Sequence, residues 1–242
     1  MDKRLSNEIE HGKYLAKEGA GEVWNWESPA GKMRWQRRVT MLTRHLKSSD
    51  SVLEIGCGTG YFTREIAKTG VTVTAIDISP DLIELALKEV NAGNVIFRLA
   101  NAYDLDFEDN SFDSVIGSSV LHHLEIEKAI HEFFRVLRPN GTICFTEPNM
   151  MNPQIALQKN IPYLKRKLGD SPDETAFFRW SLRRLLRSTG FEEIHIQPFD
   201  FLHPAIPEKL IGVISRAGSA VERTPVLKEI AGSLYITARK PL

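Results

Sequence analysis

Three glycines, Gly56, Gly58 and Gly60, alternate with other residues directly after a short apolar run, Val52–Ile55. Glycine permits a positive φ angle and lets a ligand lie against bare backbone. The next apolar run leads into Asp77, 17 residues after Gly60. A carboxylate at that place can accept hydrogen bonds from both hydroxyls of a ribose. The pattern therefore predicts a site for a ligand that contains a nucleoside.

The spacing of these glycines argues against a dinucleotide site. The dinucleotide pattern GxGxxG would put its third glycine at position 61, which is Tyr61. The spacing here is GxGxG, in which no diphosphate has to be seated on the start of the following helix. We therefore expect a ligand other than NAD or a flavin.

Two adjacent histidines, His122 and His123, follow the fourth predicted strand. An unperturbed imidazole has a pKa of about 6.5, so either side chain could deprotonate a hydroxyl or an amine. Alternatively, one of them packs against the ligand or caps the next helix at Glu125. Glu147 and Asn149, after the fifth strand, are further candidates for substrate contacts, unless they only hydrogen bond within their loop.

The residues from Val52 to Pro148 alternate short β-branched runs with amphipathic helical patterns. This alternation predicts βαβ units and a parallel sheet, with ligands beyond the carboxyl ends of the strands. The predicted strands are Val52–Ile55, Val71–Ile76, Val95–Leu99, Phe112–Gly117 and Thr142–Thr146. The predicted helices between them are Tyr61–Lys68, Pro80–Asn91 and Glu125–Leu137.

Long segments flank this core on both sides. Before it, a helix is predicted over residues 31–47, and we expect an N-terminal helical cap at 1–48 and a ligand-binding domain at 49–242. After it, we expect a helix at Glu174–Thr189 and strands at Phe191–Pro198 and Ser233–Ala238. The intervening segments at about 149–173 and 201–232 are long for plain connections, which is typical of insertions that cover a site.

The N-terminal region carries two groups of residues with two interpretations each. Its aromatic side chains either close over a flat substrate or form the core beneath the cap; they are Tyr14, Trp24, Trp26 and Trp35. Its arginines are either a solvated helix face or a site for an anion; they are Arg34, Arg37 and Arg38.

Composition narrows the class of protein. The 242 residues include 31 basic and 31 acidic side chains, so there is no overall positive field for nonspecific binding of nucleic acid. The two cysteines, Cys57 and Cys144, form no CxxC pair and no cluster with histidine, which suggests neither a disulfide framework nor a metal centre. We find no signal peptide and no apolar run long enough for a membrane span, and we expect a cytoplasmic protein without stable membrane insertion.

The run VLEIGCGTG at 52–60 and the acid Asp77 resemble the first motif and the ribose acid of the class I methyltransferases that depend on S-adenosylmethionine (SAM). The likeness covers about Val52 to Pro148 and is greatest to the small-molecule enzymes called type 11. Residues 107–112 resemble the family's PFxDxxFD stretch, with Asp106 in place of proline. The resemblance implies an α/β, Rossmann-like, seven-strand sheet that is mostly parallel with its last strand antiparallel.

The resemblance also implies SAM as cofactor, S-adenosylhomocysteine (SAH) as product, and a set of contacts. The glycine loop and Glu54 would hold the methionine part, Asp77 the ribose, and Asn101 the adenine. The predicted cofactor-binding residues are Glu54, Gly56, Cys57, Gly58, Thr59, Gly60, Asp77, Ile78, Asn101, Ala102, Ser118 and Ser119. The catalytic candidates are His122 and His123, and no metal ligand is expected.

The expected reaction is an in-line displacement that carries a methyl group to O, N or C of a small molecule. A nucleic-acid amino-methyltransferase would need an (N/D)PP(Y/F) run after the fourth strand, where this chain has Gly117-Ser118-Ser119-Val120. Two alternatives stay open at this point: a catalytically silent SAM-binding module and a protein-directed enzyme. The acceptor, the methylated atom, the use of a base and the oligomeric state also stay open.

Overall fold

The structure, a computed structural model, describes residues 3–23 and 25–242. Its strands are β1 (Ser51–Ile55), β2 (Thr72–Asp77), β3 (Val95–Leu99), β4 (Phe112–Ser118), β5 (Leu137–Pro148), β6 (Glu192–Phe199) and β7 (Ser233–Arg239). Its α-helices are α1 (Lys3–Glu18), α2 (Ala20–Val23), α3 (Pro29–Thr43), α4 (Thr63–Ala67), α5 (Pro80–Glu89), α6 (Ile126–Val136), α7 (Pro153–Asn160), α8 (Pro162–Lys167), α9 (Arg179–Thr189) and α10 (Glu208–Val221).

The strands of the described residues form one seven-stranded sheet in the order β3-β2-β1-β4-β5-β7-β6. Neighbours from β3 to β5 are parallel, whereas β7 runs antiparallel to both β5 and β6. This arrangement confirms the predicted seven-strand sheet with an antiparallel last strand. The order of strands reverses at β1 and β4, and the crevice beyond their carboxyl ends is where open α/β sheets bind ligands.

Helices cover both faces of the sheet, so the central strands are buried on both sides. Leu53 packs into one apolar cluster together with Phe133 of α6. Val52, the preceding residue, packs into a second cluster together with Leu42 of α3 and Ile66 of α4. Because successive side chains of a strand point to opposite faces, the two clusters lie on the two sides of the sheet and hold β1 rigidly beneath the crevice.

Two predicted boundaries were wrong by five residues, and in both cases tertiary pairing explains the difference. Strand β5 begins at Leu137 rather than at residue 142, because Leu137 pairs with Phe112 at the start of β4. Helix α9 begins at Arg179 rather than at Glu174, because the preceding segment is held extended by hydrogen bonds of Phe177 with residues 148 and 150. Glu174 therefore lies outside α9, in the extended segment beside the crevice.

The three N-terminal helices precede β1, and α1 lies across α5. Leu15 of α1 packs on Leu82 of α5. Gly12 allows a very close approach, since a Cβ atom at this position would lie 2.4 Å from the Cβ atom of Ser79. The division into a cap at 1–48 and a domain at 49–242 stays a prediction, and Trp24 lies outside the described residues. None of the helices that the structure describes combines the length and the apolar character needed to cross a bilayer.

Candidate active site

Two adjoining cavities lie at the carboxyl ends of β1, β2 and β4. The first has a volume of about 110 Å³ and the second of about 290 Å³. Both are lined by the same five residues where they meet: His11, Gly56, Gly58, Ser119 and His123. The site is therefore a two-chamber pocket whose chambers meet over the glycine loop.

The first cavity is an apolar slot with one acid at its edge. Its walls include Ile76, Ile78 and Leu82, and Asp77 faces into it. The α1 side of the slot is formed by Leu5, Glu8, His11, Gly12 and Leu15. A flat ring with an attached sugar can lie between such apolar walls while its hydroxyls reach the acid.

The glycine loop is tied directly to Asp77. Gly56 and Gly58 have φ angles of 63° and 54°, the left-handed region that favours glycine, and a Cβ atom on Gly56 would lie 2.4 Å from Val120. The backbone N–H of Gly58 donates to Oδ2 of Asp77 at 2.9 Å, and that of Ser79 donates to Oδ1 at 2.9 Å. Burial raises the pKa of Asp77, although these two amides favour its charged form.

The end of β4 brings Ser119 to the junction of the cavities in an unusual conformation. Its φ angle is 57°, which is uncommon for a residue other than glycine. Its backbone N–H donates to the carbonyl of Thr146 at 2.7 Å, and the hydroxyls of Ser118 and Thr146 lie 2.8 Å apart. Pairing with β5 thus holds this turn, from which the two histidines follow.

His122 is held by Glu147 and is turned toward the second cavity. Its Nδ1 atom lies 2.7 Å from Oε2 of Glu147. Since a carboxylate accepts hydrogen bonds, Nδ1 carries the hydrogen and the neutral ring keeps a lone pair on Nε2. Burial lowers the pKa of His122, and the positive charge of His123 lowers it further. This imidazole is therefore neutral and can accept a proton at Nε2.

His123 has the opposite electrostatic environment. Its Nδ1 atom lies 2.8 Å from Oε2 of Glu8 and 3.8 Å from Oε1 of Glu174. Burial disfavours the charged imidazolium, but these two carboxylates outweigh burial and raise the pKa of His123. Helix α1 is thus joined to the junction of the cavities by an ion pair between Glu8 and His123.

Glu174 links the histidines to a lysine of α7. Its Oε2 atom lies 3.8 Å from Nε2 of His122 and 2.5 Å from Nζ of Lys159. Although burial raises the pKa of this carboxyl group, the neighbouring cations, chiefly His123 and Lys159, lower it to about 2. The side chains of His122, His123 and Glu174 each place one nitrogen or oxygen atom within 4.8 Å of the others, as the residues of a metal site would. Here, however, the ammonium group of Lys159 already neutralises the carboxylate.

Known methyltransferases resemble this chain in sequence and in fold. Residues 53–145 match the family described as "Methyltransferase domain". The O-methyltransferase rstn1 of Aspergillus nomiae is 30% identical to this chain over 188 residues, which cover 71% of this chain and 80% of that protein. The chain belongs to the class I SAM-dependent methyltransferases.

Two further proteins show how far the likeness extends. The O-methyltransferase resE of Aspergillus sclerotiorum is 28% identical over 242 residues, which cover 90% of this chain and 88% of that protein. The solved structure of a SAM-dependent methyltransferase from Thermotoga maritima, described as a possible histamine N-methyltransferase, has a TM-score of 0.68 at 17% identity. It covers 95% of this chain, and this chain covers 97% of it. The protein is an enzyme that methylates a small molecule with SAM.

The first cavity suits the adenosine half of SAM. Asp77 offers two carboxylate oxygens at the edge of an apolar slot. The side-chain oxygen of Asn101 accepts a hydrogen bond from the N–H of Tyr103 at 3.0 Å, so it is the amide nitrogen of Asn101 that could donate to an adenine ring. Gly56 and Gly58, which have no side chains, line the passage from this slot into the second cavity. The methionine half of SAM fits this path.

The predicted cofactor-binding residues divide into four groups. Those lining both cavities are Gly56, Gly58 and Ser119, those lining the first alone are Asp77, Ile78, Asn101 and Ala102, and those lining the second alone are Cys57, Thr59 and Ser118. Two line neither cavity. Gly60 packs against Val90, which a Cβ atom would approach to 2.6 Å, and Glu54 is buried under the loop with Oε2 unpartnered among the described residues. Burial raises the pKa of Glu54 to about 8.

An N-terminal cap was expected over the site of this methyltransferase, but the individual residues of α1 that line it were not predicted. The cavity-lining residues of this helix are spaced by three, three, one and three residues, which is the signal of one helix face; they are Leu5, Glu8, His11, Gly12 and Leu15. Only the two leucines among these five are large and apolar, so the signal was weak. Glu147 accepts from the N–H groups of residues 120 and 121 and from the ring of His122, and Asn149 donates to the carbonyls of residues 229 and 231. Contact of either side chain with a substrate stays a prediction.

Proposed function

We propose that this methyltransferase transfers the methyl group of SAM to a hydroxyl oxygen of an aromatic small molecule, with His122 as the general base. The observation that carries the proposal is the pair formed by His122 and Glu147 on the wall of the second cavity. Within the part of the chain that the structure describes, Nε2 of His122 has no hydrogen-bond partner. A hydroxyl acceptor needs such a base, because a neutral hydroxyl is a poor nucleophile.

Bound SAM supplies an activated methyl group, and its transfer to a hydroxyl oxygen yields SAH, the methyl ether and one proton. His122 takes that proton from the hydroxyl at Nε2. Glu147 fixes the orientation of the ring through Nδ1 and stabilises the imidazolium that forms, as the acid does in other acid–histidine pairs. The remaining task of the protein is to hold the acceptor in line and to exclude water.

The walls of the second cavity support an aromatic acceptor. Trp26, Tyr61 and Phe62 line it, and Trp26 and Phe62 contact edge to face with their centroids 6.0 Å apart. A volume of about 290 Å³ suits a molecule of one or two rings, being near the lower limit of about 300 Å³ for ligand pockets. Two relatives, rstn1 and resE, are named O-methyltransferases, which supports oxygen as the methylated atom.

The same proposal assigns roles to the remaining site residues. Asp77 binds the ribose, Asn101 and Ala102 bind the adenine, and the glycine loop with Ser118 and Ser119 supports the methionine part. His123 does not act as the base: its raised pKa and its pairing with Glu8 suit a group that holds α1 closed over SAM.

The proposal includes a small-molecule partner rather than a polymer, and a cytoplasmic location. Helix α1 covers the first cavity, and residues 155–170 form one wall of the second, which favours a small acceptor over a polymer. The segment 201–232, which was expected to cover the site, contributes Gly232 to the lining of the second cavity. Cys57 and Cys144 are free thiols, which suits a reducing compartment.

Product analysis tests the proposal. The enzyme is incubated with SAM carrying a ¹³C-labelled methyl group and a panel of phenols, each paired with the aniline of the same skeleton. We expect label on phenol oxygen, a strong loss of rate in His122→Gln with little change in SAM affinity, and no loss in His131→Gln, a histidine on the exposed face of α6. Transfer to the anilines or to ring carbon in preference to oxygen would refute the proposal. Binding of SAM without transfer to any acceptor would favour the silent SAM-binding module.

A further inference from the structure

Two arginines of α3 share one carboxylate beside the second cavity. Nε of Arg34 donates to Oδ2 of Asp200 at 2.8 Å, and Nη1 of Arg38 donates to the same oxygen at 2.9 Å. Nη2 of Arg38 donates to the hydroxyl of Ser233 at 2.7 Å. Arg34, Arg38 and Ser233 all line this cavity. Two guanidinium groups thus face one acid.

Asp200 has no remaining capacity to neutralise both arginines. Its other oxygen, Oδ1, accepts from the N–H of Leu202 at 3.2 Å, and its side chain is 3% exposed. Arg34 is 18% exposed, and among residues 3–23 and 25–242 no hydrogen-bond partner is found for its two terminal nitrogens. One positive charge is left over, and the free end of Arg34 carries it toward the cavity.

The other acids nearby are engaged elsewhere. Glu222 forms a two-pronged ion pair with Arg37, at 2.8 and 2.5 Å. On the opposite wall, Asp170 and Glu174 share the ammonium group of Lys159, at 3.0 and 2.5 Å, so that wall carries a surplus negative charge of its own. None of these carboxylates is paired with Arg34. The surplus positive charge therefore belongs to the α3 side of the cavity.

The aromatic ring of Trp26 lies against both guanidinium groups. The Cζ atoms of Arg34 and Arg38 are 5.8 and 5.4 Å from its centroid. Trp26 is 7% exposed, so it shields one face of the pair from solvent. Partial removal of water strengthens the attraction of such a cation for an anion.

We propose that Arg34, supported by Arg38, forms a subsite that binds a carboxylate of the methyl acceptor. A guanidinium group presents parallel N–H donors that match a carboxylate in two-pronged contacts. A single surplus charge matches a monoanion better than a phosphate dianion. The acceptor is therefore a hydroxylated aromatic acid. Its hydroxyl group is inferred from the proposed function, and its carboxylate is inferred from the charges of this subsite.

The experiment measures binding without methyl transfer. The complex with SAH is titrated by calorimetry with benzoate and, separately, with benzamide, which has the same shape and no charge. SAH brings its own α-carboxylate, so a preference for benzoate in this complex reports a cation that the cofactor leaves unpaired. We expect benzoate to bind at least about tenfold more tightly, and we expect Arg34→Gln to abolish this preference. Arg37→Gln is the matched control, because Arg37 lies on the same helix but pairs with Glu222 outside the cavity; it should keep the preference.

Arg34→Lys is a second variant that tests the subsite even if Arg34→Gln does not fold. Lysine keeps a positive charge beside Asp200 but lacks the parallel N–H donors of a guanidinium group. We therefore expect several-fold weaker benzoate binding with unchanged SAH affinity. Equal affinity for benzoate and benzamide in the wild-type complex, absence of benzoate binding at millimolar concentration, or an unchanged preference in Arg34→Gln would each overturn the subsite. Because neither probe has a hydroxyl, failure of the base assignment leaves this result unaffected, and the reverse also holds.

Discussion

Nδ1 of His122 lies 2.7 Å from Oε2 of Glu147, while Oε1 of the same carboxylate accepts the N–H groups of Val120 and Leu121, each at 2.9 Å. A carboxylate fixed by two amides cannot turn away, so it determines which nitrogen of His122 faces the cavity. His123, the next residue, pairs with Glu8 instead. Two histidines that are adjacent in sequence thus have different partners and pKa shifts in opposite directions, and this difference is the reason for proposing different roles for them.

Asp77→Ala is expected to weaken SAM binding. The substitution removes up to two charge-assisted hydrogen bonds to the ribose, each worth about 1.5–3 kcal/mol at most. Calorimetry with SAM and SAH measures the change, and thermal unfolding checks that the variant is folded. Asp106→Ala, which removes an exposed acid, is the control. Unchanged affinity in Asp77→Ala would move the ribose contact to another residue.

Glu54→Gln is expected to stabilise the protein at alkaline pH. The pKa of Glu54 is raised to about 8 by burial, compared with about 4.3 in an unfolded chain. Between these values the folded state binds a proton that the unfolded state has released, so this residue makes stability fall as pH rises, by about 1.4 kcal/mol per pH unit at most. The glutamine variant lacks this titration.

The measurement is thermal unfolding from pH 5 to pH 8.5. The melting temperature of Glu54→Gln should rise above that of the wild type as pH increases, and the two should converge toward pH 5. Glu89→Gln, at an exposed position of α5, should follow the wild type throughout. A constant difference at all pH values would show that Glu54 is ionised in the folded state.

Glu8→Gln is expected to accelerate release of SAH. The change weakens the ion pair with His123 and the hydrogen bond that Ser171 donates to Glu8 at 2.6 Å, and both join α1 to the wall of the site. Stopped-flow fluorescence should show a dissociation rate several-fold above that of the wild type. Glu10→Gln, which alters an exposed acid of the same helix, should leave the rate unchanged.

The same ion pair implies a pH dependence of SAH release in the wild type. Because the pKa of His123 is raised, the pair is complete below that pKa and is lost as pH rises through it. Release should accelerate over this range and should be nearly independent of pH in Glu8→Gln. Equal pH dependence in both proteins would contradict the role assigned to this pair.

A chelator is expected to leave methyl transfer unchanged. His122, His123 and Glu174 have the composition of a metal site, but Lys159 lies 2.5 Å from the carboxylate and Glu8 lies 2.8 Å from Nδ1 of His123. The cluster is therefore an ion-pair network with an ammonium group as its cation. Loss of activity on dialysis against EDTA, restored by one divalent metal, would show that the network opens to bind metal.

Much of the central sheet could be predicted because its signals are local. The run ending at Ile55 and the alternating glycines depend only on neighbouring residues. The same holds for the start of α5, where the Oγ atom of Ser79, just before Pro80, accepts the N–H of Leu82. The two shifted boundaries depend on partners distant in sequence. Leu137 pairs with Phe112, and Phe177 bonds across to the end of β5.

The part of the candidate site that one sequence motif forms could be predicted, whereas the part where several segments meet could not. The loop at 56–59 and the acid Asp77 face the cavities as expected. The cluster of Glu8, His123, Lys159 and Glu174 combines four segments of the chain, and nothing in the spacing of these residues indicates that they touch. Arg34 and Arg37 look equivalent in the sequence, but helix rotation turns one toward the cavity and the other toward Glu222.

The most direct test of the account is the pH dependence of kcat for His122→Gln and the wild type with one phenolic acceptor at saturating SAM. If His122 removes the proton, the variant should be slower by about 10²–10⁴-fold at neutral pH, and the deficit should shrink as pH approaches the pKa of the phenol, since the acceptor then ionises without help. SAM affinity should stay nearly unchanged. A deficit that is equal at every pH would contradict the base assignment and leave His122 a positioning residue.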